Sequence, residues 1–472
     1  MWGTPLVVLL VGGGIYFMIY SRLTPYRYFF HAINILRGKY DDPDAPGDIS
    51  HFEALSSALA ATVGLGNISG VAVAIAMGGP GAVFWMWISA LAGMATKYFT
   101  CTLSIMYRGN DSNGDIQGGT MYMITEGLGK KWKPLAMVFA VAGLFGALPL
   151  FQANQLTQAV RDVIIIPNGI LEDTPAWIAA ISAFIPESFV PTYLGFSFAE
   201  SEILFVTSLL TGLIILSLVG MVIFGGIKRI GKVASKMVPA MVILYVGSVL
   251  TILGIHFDVL GEYLWLIIYD AFTAEAALGG AVGAIIIIGV KRAAFSNEAG
   301  IGTATLAHGA AKTKEPVREG LVAMMGPFID TVVVCTMTAL AILVTDVWRS
   351  GDQDGISLTV SAFNEALGPV GVYLLMISVL VFATSSMFAY SYYGTKCLGF
   401  LAGADKQHLY NYFYVGSILL GAITSISAMI NLIDGMFAIM AIPTMIVALL
   451  LSPKVMEATR DYFARMEKRD IL

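Results

Sequence analysis

Charge is what this 472-residue chain has least of: 12% of its residues are Asp, Glu, Lys or Arg, against 57% hydrophobic, and its mean hydropathy is +0.78. A soluble domain carries roughly 25% charged residues, and a globular surface this poor in charge would expose broad apolar patches to water. The shortage excludes an ordinary soluble fold and predicts an all-α integral membrane protein whose partner is the lipid bilayer. Basic residues are also too scattered for a nucleic-acid partner: the net charge is -5 and no basic face stands out. The three cysteines, Cys101, Cys335 and Cys397, lie far apart without metal-ligand spacing and read as free thiols. The five histidines, His31, His51, His256, His308 and His408, are equally dispersed. No nucleophile–base pairing is visible, so an enzyme is not expected and no cofactor is implied.

Apolar runs of membrane-crossing length are plentiful. Eleven candidates fall near 4–20, 54–77, 82–106, 134–160, 203–224, 237–255, 264–290, 321–345, 369–393, 411–430 and 433–451. The first is short enough for a signal peptide, but its positive charges follow the apolar stretch, which favours an anchor. Basic residues gather after every odd-numbered span, as at Lys228, Arg229, Lys232 and Lys236, whereas the opposite long loops offer Arg161 and Arg349. The positive-inside rule then predicts an outside amino terminus and a cytoplasmic carboxyl terminus in the cell membrane.

Two spans carry glycine clusters. The second holds Thr62-Val63-Gly64-Leu65-Gly66-Asn67, and the seventh holds Gly279-Gly280-Ala281-Val282-Gly283. Each glycine weakens a helix by roughly 1 kcal/mol relative to alanine, and a cluster permits an unwound stretch whose amides and carbonyls face a buried ligand. Gly66 and Gly70, like Gly279 and Gly283, also have the four-residue spacing of close helix packing. Their recurrence at the head of two five-span halves favours the unwound reading. Five is odd, so the halves enter from opposite sides as an inverted repeat. The expected division is an extra N-terminal helix and loop over 1–50, a first repeat over 51–256, a second over 257–453 and a cytoplasmic tail over 454–472.

Longer motifs are specific. Gly78-Gly-Pro-Gly-Ala-Val-Phe-Trp-Met-Trp87, Gly93-Met-Ala-Thr-Lys97-Tyr98, and Lys291-Arg292 followed by Phe295-Ser-Asn-Glu298-Ala-Gly300-Ile-Gly302 resemble the sodium:alanine/glycine symporter family. Gly118-Gly-Thr-Met-Tyr122, Gln152-Ala-Asn154 and Ser391-Tyr-Tyr-Gly394 are similar to the same family. The resemblance implies a LeuT-type five-plus-five inverted repeat with one extra helix, importing alanine or glycine with sodium. Departures at Leu65, Thr120 and Tyr390, where the family usually has threonine, proline and tryptophan, bear on which amino acid is preferred.

A zwitterionic substrate needs donors for its carboxylate and acceptors for its ammonium, and helix breaks offer both. The expected substrate set is Thr62, Gly64, Gly66, Asn67, Gln152, Gly279, Gly280, Gly283, Ile288 and Tyr390. Asn67 reads equally as a substrate ligand or a cap of the resumed helix. Sodium takes oxygen ligands, and the resemblance implies the carbonyls of Ala60 and Val63 with the hydroxyls of Thr384 and Ser385. Those hydroxyls could instead bond back to their own helix. Asp330 lies within a span, either functional or structurally paired; it is the candidate carrier if the coupling ion is a proton. Lys97 and Glu298 are expected near the inner surface as a gate or interhelix pair. A channel or an intramembrane enzyme are the rival classes.

Overall fold

The structure, a computed structural model, describes residues 3–171, 174–182, 198–272, 281–350, 355–424 and 426–468. Nearly all of it is helix. The principal helices are α1 (Thr4–Tyr20), α2 (His51–Thr62), α3 (Leu65–Gly78), α4 (Gly81–Met106), α5 (Lys133–Gly146) and α6 (Leu150–Val160). They continue with α7 (Phe198–Ile223), α8 (Gly226–Ile255), α9 (Leu260–Asp270), α10 (Ala281–Asn297) and α11 (Ala304–His308). The last are α12 (Pro316–Val344), α13 (Gly355–Ala402), α14 (Leu409–Ile423) and α15 (Ile426–Glu467). Among the described residues six helices are long and apolar enough to cross a bilayer, and seven when the bent pair α2–α3 is taken as one span.

Local chemistry sets the ends that matter. Ser50 starts α2 with a capping box: its Oγ accepts from the Glu53 amide, and the Ser50 amide donates to Glu53 Oε2. The helix stops at Thr62 and resumes as α3 after a bend of 40°. Asp270, at the end of α9, accepts from the Gly81 amide at 2.7 Å and so caps α4 from 189 residues away. Within α13 the backbone departs from helix at Gly368, whose φ of +62° precedes Pro369. Glycine takes that conformation without steric cost, and proline cannot continue the ladder behind it.

Packing places the broken helix at the centre. α3 lies between α10 and α13, and α13 also packs on α2, α6 and α8. α1 sits outside, on α4: the Phe17 and Phe99 rings stack at 4.4 Å, and Gly14 lets the Ala92 backbone approach where any side chain would collide.

Several boundaries differ from expectation. The seventh span, expected over 264–290, divides into α9 and α10, and α10 runs unbroken through Gly283 to Asn297. The tenth span ends at Ile423 instead of 430. The last helix continues to Glu467, so most of the expected tail is helical, with Arg465 paired to Glu315.

Candidate functional site

The first break is a matter of hydrogen-bond accounting. The Gly64 amide, which in a continuous helix would bond to the carbonyl of Ala60, donates instead to Asn67 Oδ1 at 2.8 Å. The Asn67 amide donates to the Gly64 carbonyl at 3.1 Å and leaves the carbonyl of Val63. Ala60 and Val63 thus lose their helical donors together, and both residues are fully buried. Asn67 is the cap, and its Nδ2 reaches across to Asp330. Thr62 spends its hydroxyl on the Ala58 carbonyl of its own helix.

The expected second break at Gly279–Gly283 falls largely on residues outside the described ones. Gly279 and Gly280 lie outside the described residues, and Gly283 is an exposed residue of α10. The interruption falls at 298–303, between α10 and α11, where Glu298, Gly300 and Gly302 all have positive φ. Crowding explains the glycines: a side chain on Gly302 would meet Thr444, Thr120 and Phe139. The signal was legible in Gly300-Ile301-Gly302, a motif quoted for its resemblance but passed over as a break.

The two breaks face each other. A β-carbon on Gly66 would lie 3.4 Å from the Phe295 ring and 3.5 Å from Ser296 Cα. Between them sits Asp330, in a π-helical stretch of α12 over Phe328–Cys335. Its Oδ1 accepts from Asn67 at 2.7 Å, and its Oδ2 accepts from Ser296 and Thr331, each at 2.7 Å. All three side-chain donors are neutral. Glu298, expected near the surface, is buried at the second break and accepts from Tyr390 at 2.5 Å and from Thr303. Lys97 is buried beside the same region. One element beyond, Asp434 of α15 is bridged to Lys291 at 2.6 Å and Arg292 at 3.4 Å.

On α13, Ser386 is the hydroxyl pressed closest to Gly64, whereas Ser385 lies against Met241 of α8. Thr384, Ser385 and Ser386 all donate to carbonyls of their own helix. Gln152 and Gln155 are buried with amide oxygens that have no described partner. Tyr390 walls the second break through Glu298. Ile288, by contrast, packs against Gly78 at the far end of α3. That is about 20 Å from the first break at 1.5 Å per residue, so it does not line the pocket.

A separate stitch joins the start of α2 to the end of α11. Glu319 of α12 is fully buried and takes His51 on one carboxylate oxygen and His308 on the other. Residues 48–49 bond to the Ala310 carbonyl, and Lys312 returns a bond to Ile49 at 2.7 Å. Arg108 threads the same loops, donating to the carbonyls of Gly309, Ala311, Pro46 and Thr313. Burial lowers the Arg108 pKa, and Glu319 and Asp48 push it back up. Dispersal of the histidines along the sequence hid this cluster.

Long apolar helices interrupted by buried breaks define a multi-pass membrane protein. A crystal structure of MhsT in complex with L-phenylalanine superposes with a TM-score of 0.57 at 15% identity, covering 86% of this chain and 89% of that one. The fold is therefore LeuT-like. The chain belongs to the sodium:alanine symporter family, whose model matches residues 1–471. It is 37% identical to the sodium/alanine symporter AgcS of Methanococcus maripaludis, over 98% of this chain and 95% of that one. It is 33% identical to the probable sodium/glutamine symporter GlnT of Bacillus subtilis, over 98% and 88%. These relationships make it a secondary amino-acid transporter.

Proposed function

We propose that the protein imports a small neutral amino acid, alanine or glycine first, together with sodium moving down its gradient, by alternating access. The observation that carries the reading is the meeting of two interrupted helices around acceptors that lack protein donors. The carbonyls of Ala60 and Val63 have lost their amides, and the amide oxygens of Gln152 and Gln155 are enclosed without partners. Buried acceptors without donors cost roughly 1–3 kcal/mol each, and a sodium ion and a substrate ammonium are the species that relieve them. Thr384 and Ser385 would complete the sodium shell by turning from their own helix carbonyls. Asp330 adds an anionic oxygen set held by neutral donors alone. The substrate carboxylate would sit on the amides that open α3.

Eleven crossings fit the element order if α2–α3, α5–α6 and α10–α11 each count as one span and the short α9 does not cross. The basic loops then put the His51–Glu319–His308 stitch on the cytoplasmic side of the cell membrane. Crowding at Gly64 and Gly302 supports a small side chain on the substrate. The relative named for glutamine marks the second candidate.

Uptake of labelled alanine and glycine into proteoliposomes, with all common amino acids as competitors, tests the reading. Accumulation should require an inward sodium gradient and vanish when choline replaces sodium; accumulation unchanged by that replacement would refute it. Thr384→Ala with Ser385→Ala should raise the sodium concentration for half-maximal uptake about tenfold or more, as expected for losing two ligands worth on the order of 1 kcal/mol each.

A further inference from the structure

Lys97 is an oddity that the transport reading leaves unused. It is 1% exposed, in the middle of α4, yet its ammonium makes no hydrogen bond and no direct ion pair among the described residues. Taking a charge out of water is costly unless partners repay it, so a lysine held this way needs a reason. Gly93, one turn before it on α4, would put a β-carbon 2.7 Å from Ala299, the neighbour of Glu298 at the second break, and Asp330 and Cys101 are the other titratable groups whose charge acts on it. Gly326 of α12 lies against its Nζ, where a β-carbon would come to 3.2 Å. Leu10 and Met445 close the neighbouring space at Gly300 with apolar side chains. The Tyr393 hydroxyl is enclosed without a partner among the described residues, its ring 6.0 Å from that of Tyr390, which donates to Glu298.

Charge counting gives the reason. Among the described residues, Asp330 and Glu298 each accept only from neutral side-chain donors, so neither carboxylate has a direct counter-charge there. Two carboxylates at facing helix breaks would call for two mobile cations. Lys97 supplies one that never leaves.

We propose that Lys97 is a tethered cation that stands in for a coupling ion and thereby determines how many sodium ions the carrier takes per amino acid. Its ammonium answers one carboxylate in every state of the cycle, and a transported cation answers the other. The inference rests on the sodium-coupled reading above.

The test uses the full chain in proteoliposomes at alkaline pH, with sodium titrations of labelled alanine uptake. Lys97→Met should steepen the sodium dependence by one further ion, or should make uptake newly dependent on acid as a proton fills the place. Lys97→Arg, which keeps the charge, should retain the wild-type steepness. Lys97→Met combined with Glu298→Gln removes one charge of each sign and should also return the wild-type steepness, and it serves where the single variant does not fold. A Lys97→Met carrier, or the double variant, that takes up alanine with the opposite pattern overturns the proposal: unchanged steepness and no acid dependence in the first, altered steepness in the second. Absence of any sodium dependence in the wild type would instead remove the coupling reading itself.

Discussion

Asn67 donates to Asp330 twice, to the carboxylate at 2.7 Å and to the backbone carbonyl at 3.0 Å, while its own oxygen holds the Gly64 amide. One side chain therefore ties the first break to α12 and keeps α3 from winding back onto α2. Replacing it with alanine leaves a buried amide and a buried carboxylate oxygen each short of a partner. At about 1–3 kcal/mol for a buried group left unsatisfied, Asn67→Ala should lower the unfolding temperature of purified protein by several degrees and abolish uptake. Unfolding unchanged from wild type would show that water or rearrangement replaces the bond.

Gly64 and Ser386 exclude one another's growth. A β-carbon on Gly64 collides with the Ser386 hydroxyl, and overpacking of this kind costs typically 1–3 kcal/mol. Gly64→Ala should cut uptake roughly tenfold or more. Ser386→Ala in the same chain should recover much of the loss, with a coupling of about 0.5–3 kcal/mol in the double-mutant cycle. Additive effects of the two substitutions would place the damage elsewhere in the break.

Tyr390 separates size from hydrogen bonding. Tyr390→Phe keeps the ring and removes a donor to Glu298; hydrogen bonds to charged groups are worth about 1.5–3 kcal/mol, so it should slow transport of every substrate alike. Tyr390→Ala also opens volume and should admit valine or leucine as competitors for alanine uptake. Identical selectivity profiles for the two variants would take Tyr390 out of the pocket wall.

The Glu319 stitch should govern access from the His51 side. Glu319→Gln weakens the hold on both histidines, and breaking a buried ionic contact typically costs about 3–5 kcal/mol. Cys101 is buried nearby and free, so it is a native reporter. It should become reactive towards a membrane-permeant maleimide in the variant and stay protected in the wild type. Equal labelling would mean that the stitch does not hold this face closed.

Much of the fold was legible because lipid imposes simple rules. Apolar length located the six long apolar helices, and the first break was readable because Gly64 and Gly66 have a capping Asn67 beside them. The interruption at 298–303 went unread for an equally physical reason. Glycine in a membrane helix serves packing as readily as unwinding, and Gly283 belongs to a continuous helix. Glu298, whose left-handed backbone marks the interruption at 298–303, carries no compositional sign of it. Ile288, expected among the substrate residues, packs against Gly78 at the other end of α3, a contact that its own sequence neighbourhood does not encode. Partnerships across the chain, such as Asn67 with Asp330 or His51 with Glu319, depend on which helices meet, and no local pattern encodes that.

The stitch between the loops at Ile49 and Ala311 also bears on how the protein is made. Glu319 and His51 are 268 residues apart in sequence, and at about 5–20 residues per second the ribosome needs on the order of tens of seconds to deliver one to the other. Through that interval His51 lacks Glu319, and the Arg108 guanidinium lacks the carbonyls of Gly309, Ala311 and Thr313. The first half of the chain must therefore wait in the membrane incompletely satisfied, dependent on water or on the insertion machinery, until Ala311 emerges. Truncations that end before Thr313 should be cleared by quality-control proteases, and those that end after Glu319 should survive longer, since only the latter can close the seam.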